Sequence, residues 1–276
     1  MRQVAGDGVD LAVFDEGEGR GVLLVHGFPD THAVWRHQVP ALTGAGLRVI
    51  APDLRGRGES GRPVAVADYE IRHSVADMVC VLDELGVERA HVVGHDFGAA
   101  VAWMLATLHP DRVDHLVVMS VGHPATAQRW TIEQREKAWY TLLFQFEDVA
   151  ERLLMRDDWR LFREWLRDEG DVEQYVADLG RDGALTAGLR WYRANRAPQR
   201  QLEPAPSLPP VTAPTLGIWS SGDHYLTEDR MVASGQHVTG PWRYERLDGI
   251  SHWMQLDAPR RVNELLLEFL AAPAVI

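Results

Sequence analysis

The chain has 276 residues, a length that suits either two domains or one α/β body with an insertion. Hydrophobic residues make up 46% and charged residues 25%, which excludes disordered and fibrous chains. With 40 acidic against 28 basic residues the formal charge is −12, so nucleic acid and anionic membrane surfaces are poor partners.

The opening MRQVAGDGVDLAVFDEG lacks the apolar core of a secretory signal. No run of about 18 apolar residues follows anywhere, so no bilayer span is expected. Short apolar runs ending in glycine or aspartate come next: GVLLVHG (21–27), LRVIAPD (47–53), RAHVVGHD (89–96) and HLVVMSV (115–121). Continuous apolar strands are buried on both faces, which implies a parallel sheet covered by helices. Helical patterns run from Ile71 to Leu85 and from Gly98 to Leu108. The lone Cys80 lies in the first of them and reads as a small core residue; one thiol cannot form an internal disulfide, so a reducing, cytoplasmic compartment is expected.

The βα rhythm stops after Val121. Amphipathic segments rich in Trp and Arg follow: EQREKAWYTLLFQF, VAERLLMRDDWRLFREWL, VEQYVADL and GALTAGLRWYRANR. The proline-rich QLEPAPSLPPVTAP leads back to the strands TLGIWSSGD (215–223) and WRYERLDG (242–249), and VNELLLEFLAA closes with a helix. The expected architecture is a doubly wound α/β core of residues 1–121 and 212–276 with a helical cap of residues 122–211. Trp139, Trp159, Trp165 and Trp191 are expected in the cap core.

The sharpest motif is Gly94-His95-Asp96-Phe97-Gly98, directly after a strand and opening a helix. Small residues around the central position suit a strained strand-to-helix elbow that exposes Asp96. A carboxylate is ordinarily ionised at neutral pH and needs no base to attack an electrophilic carbon, such as that of an epoxide or a carbon–halogen bond. HGFPD (26–30) follows the first apolar strand, where a backbone N–H can serve an oxyanion hole; Phe28 and Phe97 are the two expected donors. Asp223 follows the strand TLGIWS and His252 follows the last strand. No acid lies between Ser120 and Ala127, after the fourth strand, which favours Asp223 as the histidine's partner. His224 falls on the wrong loop for the base. Asp53 and Arg55, in PDLRGRGES, read as turn braces.

These residues together resemble the epoxide hydrolases of the α/β-hydrolase fold. The resemblance spans nearly the whole chain and rests on HGFPD, PDLRGRGES, GHDFGAA, SHWMQLDAP and two cap segments, WYTLLFQF and LRWYRANR. It implies that Asp96 is the nucleophile, that His252 with Asp223 activates water, and that Tyr140 and Tyr192 hold the epoxide oxygen. It implies a small apolar epoxide and water as reactants, with no metal or organic cofactor. Phe28, Pro29, Trp35, His123, Phe144, Trp191 and Trp253 are the expected pocket residues. A homodimer is compatible with the sequence. Two other readings use the same scaffold: a haloalkane dehalogenase with the same Asp, and a binding protein without turnover. Phe97 stands where many relatives carry a Trp, which removes an indole donor for a departing halide.

Overall fold

In the computed structural model, which describes residues 1–128, 131–202 and 207–271, one eight-stranded sheet organises the chain. Its strands are β1 (Arg2–Ala5), β2 (Asp10–Glu16), β3 (Arg20–Val25), β4 (Leu47–Pro52), β5 (Ala90–His95), β6 (Val113–Met119), β7 (Thr215–Ser220) and β8 (Trp242–Leu247). Their order across the sheet is β1-β2-β4-β3-β5-β6-β7-β8. β2 pairs antiparallel with β1 and β4, and all other neighbours are parallel. Every residue of β5, β6 and β7 is buried, because helices cover both faces of a parallel sheet. The β1–β2 hairpin was not expected: both strands lie before residue 21, and their short, mixed polar and apolar runs carry little periodic signal.

The helices are α1 (Gln38–Gly44), α2 (Ile71–Glu84), α3 (Phe97–Leu108), α4 (Ile132–Lys137), α5 (Tyr140–Leu143), α6 (Val149–Leu166), α7 (Val172–Leu179), α8 (Ala184–Asn195), α9 (Glu228–Ala233), α10 (Met254–Asp257) and α11 (Pro259–Leu270). Nearly all of α3 is buried, as befits a helix of small and apolar residues. In α11 only one stripe points inward, formed by Val262, Leu265, Leu266 and Leu270. Helices α4 to α8 all lie between β6 and β7. Residues 203–206 of the proline-rich linker, and Ala272 of the last predicted helix, lie outside the described residues.

Two expectations for the helical insertion need correction. VAERLLMRDDWRLFREWL is not one continuous helix: Arg156 is extended and Asp157, Asp158 and Trp159 have φ of 52°, 54° and 60°. Aspartate tolerates the left-handed region better than most residues, which places the break at the Asp pair. Trp139 is 47% exposed and does not join the cap core. Trp159 and Trp165 do, packing on Phe162 with ring centroids 5.5 and 5.7 Å away. A buried ion pair between Arg193 and Glu151, at 2.8 Å, ties α8 to α6.

The helical insertion meets the rest of the chain through polar ties as well as apolar contact. The Trp191 indole donates to the Arg55 carbonyl at 3.2 Å. Arg55 is itself locked to Asp77 on α2 by two hydrogen bonds of 2.7 and 2.8 Å, so it braces the PDLRGRGES loop as expected. Asp77→Ala leaves that guanidinium buried without its carboxylate and is expected to lower unfolding stability by about 3–5 kcal/mol. Urea denaturation checks this; a loss below about 1 kcal/mol contradicts the brace.

Candidate active site

The site forms where the C-terminal ends of the central strands meet the helical insertion, the usual crevice of an open α/β sheet. Asp96 sits between β5 and α3 with φ 51° and ψ −121°, a strained conformation for a residue with a side chain. The flanking glycines make that turn possible. A Cβ on Gly94 would overlap the backbone of Gly98, and a Cβ on Gly98 would overlap the Val25 carbonyl. Gly27 is needed for a similar reason, since a Cβ there would overlap the Asp96 side chain.

That close approach lets the Phe28 N–H donate to Asp96 Oδ1 at 3.0 Å. Phe97 is the first residue of α3, so its N–H has no carbonyl partner within the helix. On the other side, His252 Nε2 lies 3.7 Å from Asp96 Oδ2, too long for a hydrogen bond. His252 Nδ1 meets Asp223 Oδ2 at 2.8 Å. The N–H groups of Tyr225 and Leu226 donate to the other Asp223 oxygen at 2.8 and 3.0 Å. The three expected residues are therefore adjacent, although they stand on three separate loops.

The electrostatics follow from burial and charge. Burial disfavours a charged His252, but Asp223, Asp96 and Asp30 outweigh it and raise the imidazole to about 9. Burial pushes Asp223 upward, yet His252 and the two backbone N–H groups hold it below the usual carboxylate range. Asp30, from HGFPD, is raised to about 7 by burial against donation from Tyr175 and Trp253. Tyr175 Oη, on α7, donates to Asp30 Oδ1 at 2.6 Å, and Trp253 Nε1 donates to Asp30 Oδ2 at 3.1 Å. Asp30 thus links the insertion to the residue beside His252.

A cavity opens at Asp96. Tyr140 and Tyr192 both border it, with ring centroids 5.9 Å apart. Neither hydroxyl has a hydrogen-bond partner among the described residues. Burial raises both phenols above their ordinary value, and the Asp96 carboxylate adds to the effect. The apolar wall comes from Phe97, Ala100, Val121, Ala138 and Leu226.

The expected pocket residues lie elsewhere. Phe28, Phe144 and Trp191 form a layer behind the wall, touching Tyr192 or Phe97 edge-on. Arg57 holds the Pro29 carbonyl. Trp35 is wholly buried. His123 stacks on His237 at 4.6 Å, away from Asp96. Trp253 contacts the edge of His252. Among the described residues no Trp borders the cavity. His224 faces Glu169 at 3.3 Å and does not border the cavity.

Five polar residues of the lining were not foreseen: Gln134, Thr141, Tyr225, Arg196 and Arg230. Gln134 on α4 donates to the Tyr225 carbonyl at 2.9 Å and accepts from Thr227, pinning the insertion to the Asp223 loop. Arg196 lies four residues after Tyr192 and caps the C-terminal end of α8, a nearness in sequence that was legible. Arg230, on α9, carries no such signal.

The α/β-hydrolase fold family matches residues 21–259. Epoxide hydrolase A of Mycobacterium tuberculosis is 35% identical, over 98% of this chain and 96% of that protein. The AB hydrolase superfamily protein YfhM of Bacillus subtilis is 33% identical over 96% of this chain and 95% of its own length. Among solved structures, epoxide hydrolase A from Mycobacterium thermoresistibile matches with TM-score 0.82 and 32% identity, covering 100% of this chain and 99% of that one. An inhibitor complex of the Bacillus megaterium epoxide hydrolase matches with TM-score 0.90 and 27% identity, covering 98% and 100%. An Asp at the elbow of this fold, two phenols bordering the same cavity and these relatives agree: the chain belongs to the α/β-hydrolase fold family, as an epoxide hydrolase.

Proposed function

We propose that the enzyme opens its epoxide in two covalent steps, with Asp96 as nucleophile. The observation that carries this reading is the placement of Asp96 between the Phe28 N–H at 3.0 Å and the His252–Asp223 pair, on the cavity that Tyr140 and Tyr192 border. The two phenols donate hydrogen bonds to the epoxide oxygen, and one passes its proton to the developing alkoxide. Asp96 attacks a ring carbon, the carbon–oxygen bond breaks, and a hydroxyalkyl ester of Asp96 forms. His252 then takes a proton from water, and the resulting hydroxide adds to the ester carbonyl carbon. The Phe28 and Phe97 N–H groups hold the oxyanion, the acyl–oxygen bond breaks, and the departing alkoxide takes the proton of the newly formed Asp96 carboxylic acid to leave as a vicinal diol. The proton on His252 returns to the tyrosine phenolate, which restores the resting enzyme. Residues 122–211 act as the cap over core residues 1–121 and 212–276. The body of the substrate is apolar, matching the wall of Phe97, Ala100, Val121 and Leu226. A halide would meet no indole donor from the described residues in this cavity, which favours an epoxide over a carbon–halogen bond.

Exposing His252→Gln to an aryl epoxide is expected to trap the ester, seen in intact mass as the parent plus one substrate; Asp96→Asn shows no adduct. An unmodified His252→Gln protein that binds substrate contradicts the covalent step. Replacing both Tyr140 and Tyr192 with Phe is expected to slow ring opening by at least roughly 10²-fold; an unchanged rate removes them from the reaction.

The hydrolytic step also carries a sign in pH. His252 titrates near 9 in the resting enzyme partly because Asp96 is a carboxylate. Esterification removes that charge, so the imidazole titrates lower in the intermediate. Since only neutral imidazole accepts the proton, ester decay in single-turnover quench experiments is expected to speed up with pH and level off below about 9. A decay rate that is flat or falls as pH rises removes His252 as the base.

A further inference from the structure

Four arginines are buried among the described residues: Arg55, Arg57, Arg193 and Arg230. Three of them are satisfied. Arg55 pairs with Asp77 at 2.7 Å, and Arg193 with Glu151 at 2.8 Å. Arg57 donates to the carbonyls of Pro29 and Asp30 and has Asp178 at 3.7 Å. Arg230 is different. It is 3% exposed, its Nε has no hydrogen-bond partner, and its side chain forms no ion pair among the described residues. It borders the cavity that holds Asp96, Tyr140 and Tyr192. Arg196 borders the same cavity, and its side chain likewise has no ion pair or hydrogen bond among the described residues.

Two guanidinium groups facing one small cavity repel each other. Burial, with Arg196 adding to it, lowers Arg230 to about 9, and Asp229 opposes the change only from an exposed position. A desolvated and unpaired guanidinium costs stability, and stability is commonly given up at binding sites. The missing partner is an anion.

We infer that the substrate is an epoxide bearing a carboxylate, which Arg230 and Arg196 bind while Asp96 attacks the ring. The inference rests on the two-step mechanism proposed above and narrows its substrate. The planar guanidinium fork matches a carboxylate through two parallel hydrogen bonds. Without these cations a cavity containing the Asp96 carboxylate would repel an anionic substrate. Tyr192 on α8 and Arg196, which caps its C-terminal end, both border the cavity, so one end of this helix presents both a group for the epoxide oxygen and a group for the anion. Because both arginines and Asp96 border one cavity, the carboxylate lies only a few bonds from the ring.

Binding and turnover test the inference separately. Calorimetry with 4-phenylbutanoate and its amide reads the anion site without chemistry. The parent enzyme is expected to bind the carboxylate at least about tenfold tighter. Arg230→Met and Arg196→Met each bring the ratio close to one. Equal binding of acid and amide by the parent, or a preference that survives both substitutions, overturns the inference. Thermal melting guards against a purely structural role. Removing an unpaired buried charge is expected to hold or raise the Tm of Arg230→Met, whereas a fall of several degrees assigns Arg230 to the fold and contradicts the inference. In turnover, 3-phenylglycidate is expected to exceed its amide in kcat/KM by a ratio that both variants abolish. Loss of both epoxide activities with the binding preference intact would remove the proposed chemistry and leave the anion site standing.

Discussion

The side chain of Asp96 is held out of the helix it precedes by a backbone conformation that ordinarily costs about 1–3 kcal/mol. The sheet and α3 impose that conformation, and Gly94 and Gly98 admit it because no Cβ fits at either position. Once the carboxylate is fixed there, the remaining geometry follows. One oxygen meets the Phe28 N–H, the other faces His252, and the open side faces the two phenols. Everything proposed about reactivity depends on that single placement.

Charge is distributed around it in a consistent sense. The buried Asp223 keeps His252 oriented and favours its protonated form in the resting enzyme. In the proposed mechanism, removing the Asp96 charge by ester formation weakens this hold, so the imidazole becomes a base at the stage that requires one. The cavity wall supplies the complementary half: phenols that keep their protons because they are buried, and two guanidinium groups, of Arg196 and Arg230, with no ion-pair partner among the described residues. The polar ties through Asp30, Gln134 and Trp191 fix the two halves relative to each other.

Much of this was legible in the sequence where a strand end defines position. The parallel strands announce themselves as apolar runs, and Asp96, Asp223 and His252 each follow one, so the fold brings them together. Tyr140 and Tyr192 came from likeness to a family, because the periodicity of their helices distinguishes only inside from outside. The β1–β2 hairpin was hidden by its short mixed pattern, and the break in α6 by an otherwise amphipathic run. The cavity wall was the least legible feature. Trp35, His123 and Trp253 are large and near the right loops, yet their rings are turned into neighbouring packing. Val121, Leu226 and Arg230 reach the cavity from segments far apart in sequence, and only the crossing of the insertion over the sheet determines which of them face it.

The most direct measurement is a single turnover in water enriched in heavy oxygen, with enzyme in excess, followed by peptide and product mass spectrometry. Attack of water on the Asp96 ester carbon predicts one heavy oxygen in the peptide containing Asp96 and an unlabelled diol from the first turnover. Label in the first-turnover diol, with Asp96 unlabelled, would show that water opens the ring directly and would contradict the covalent mechanism.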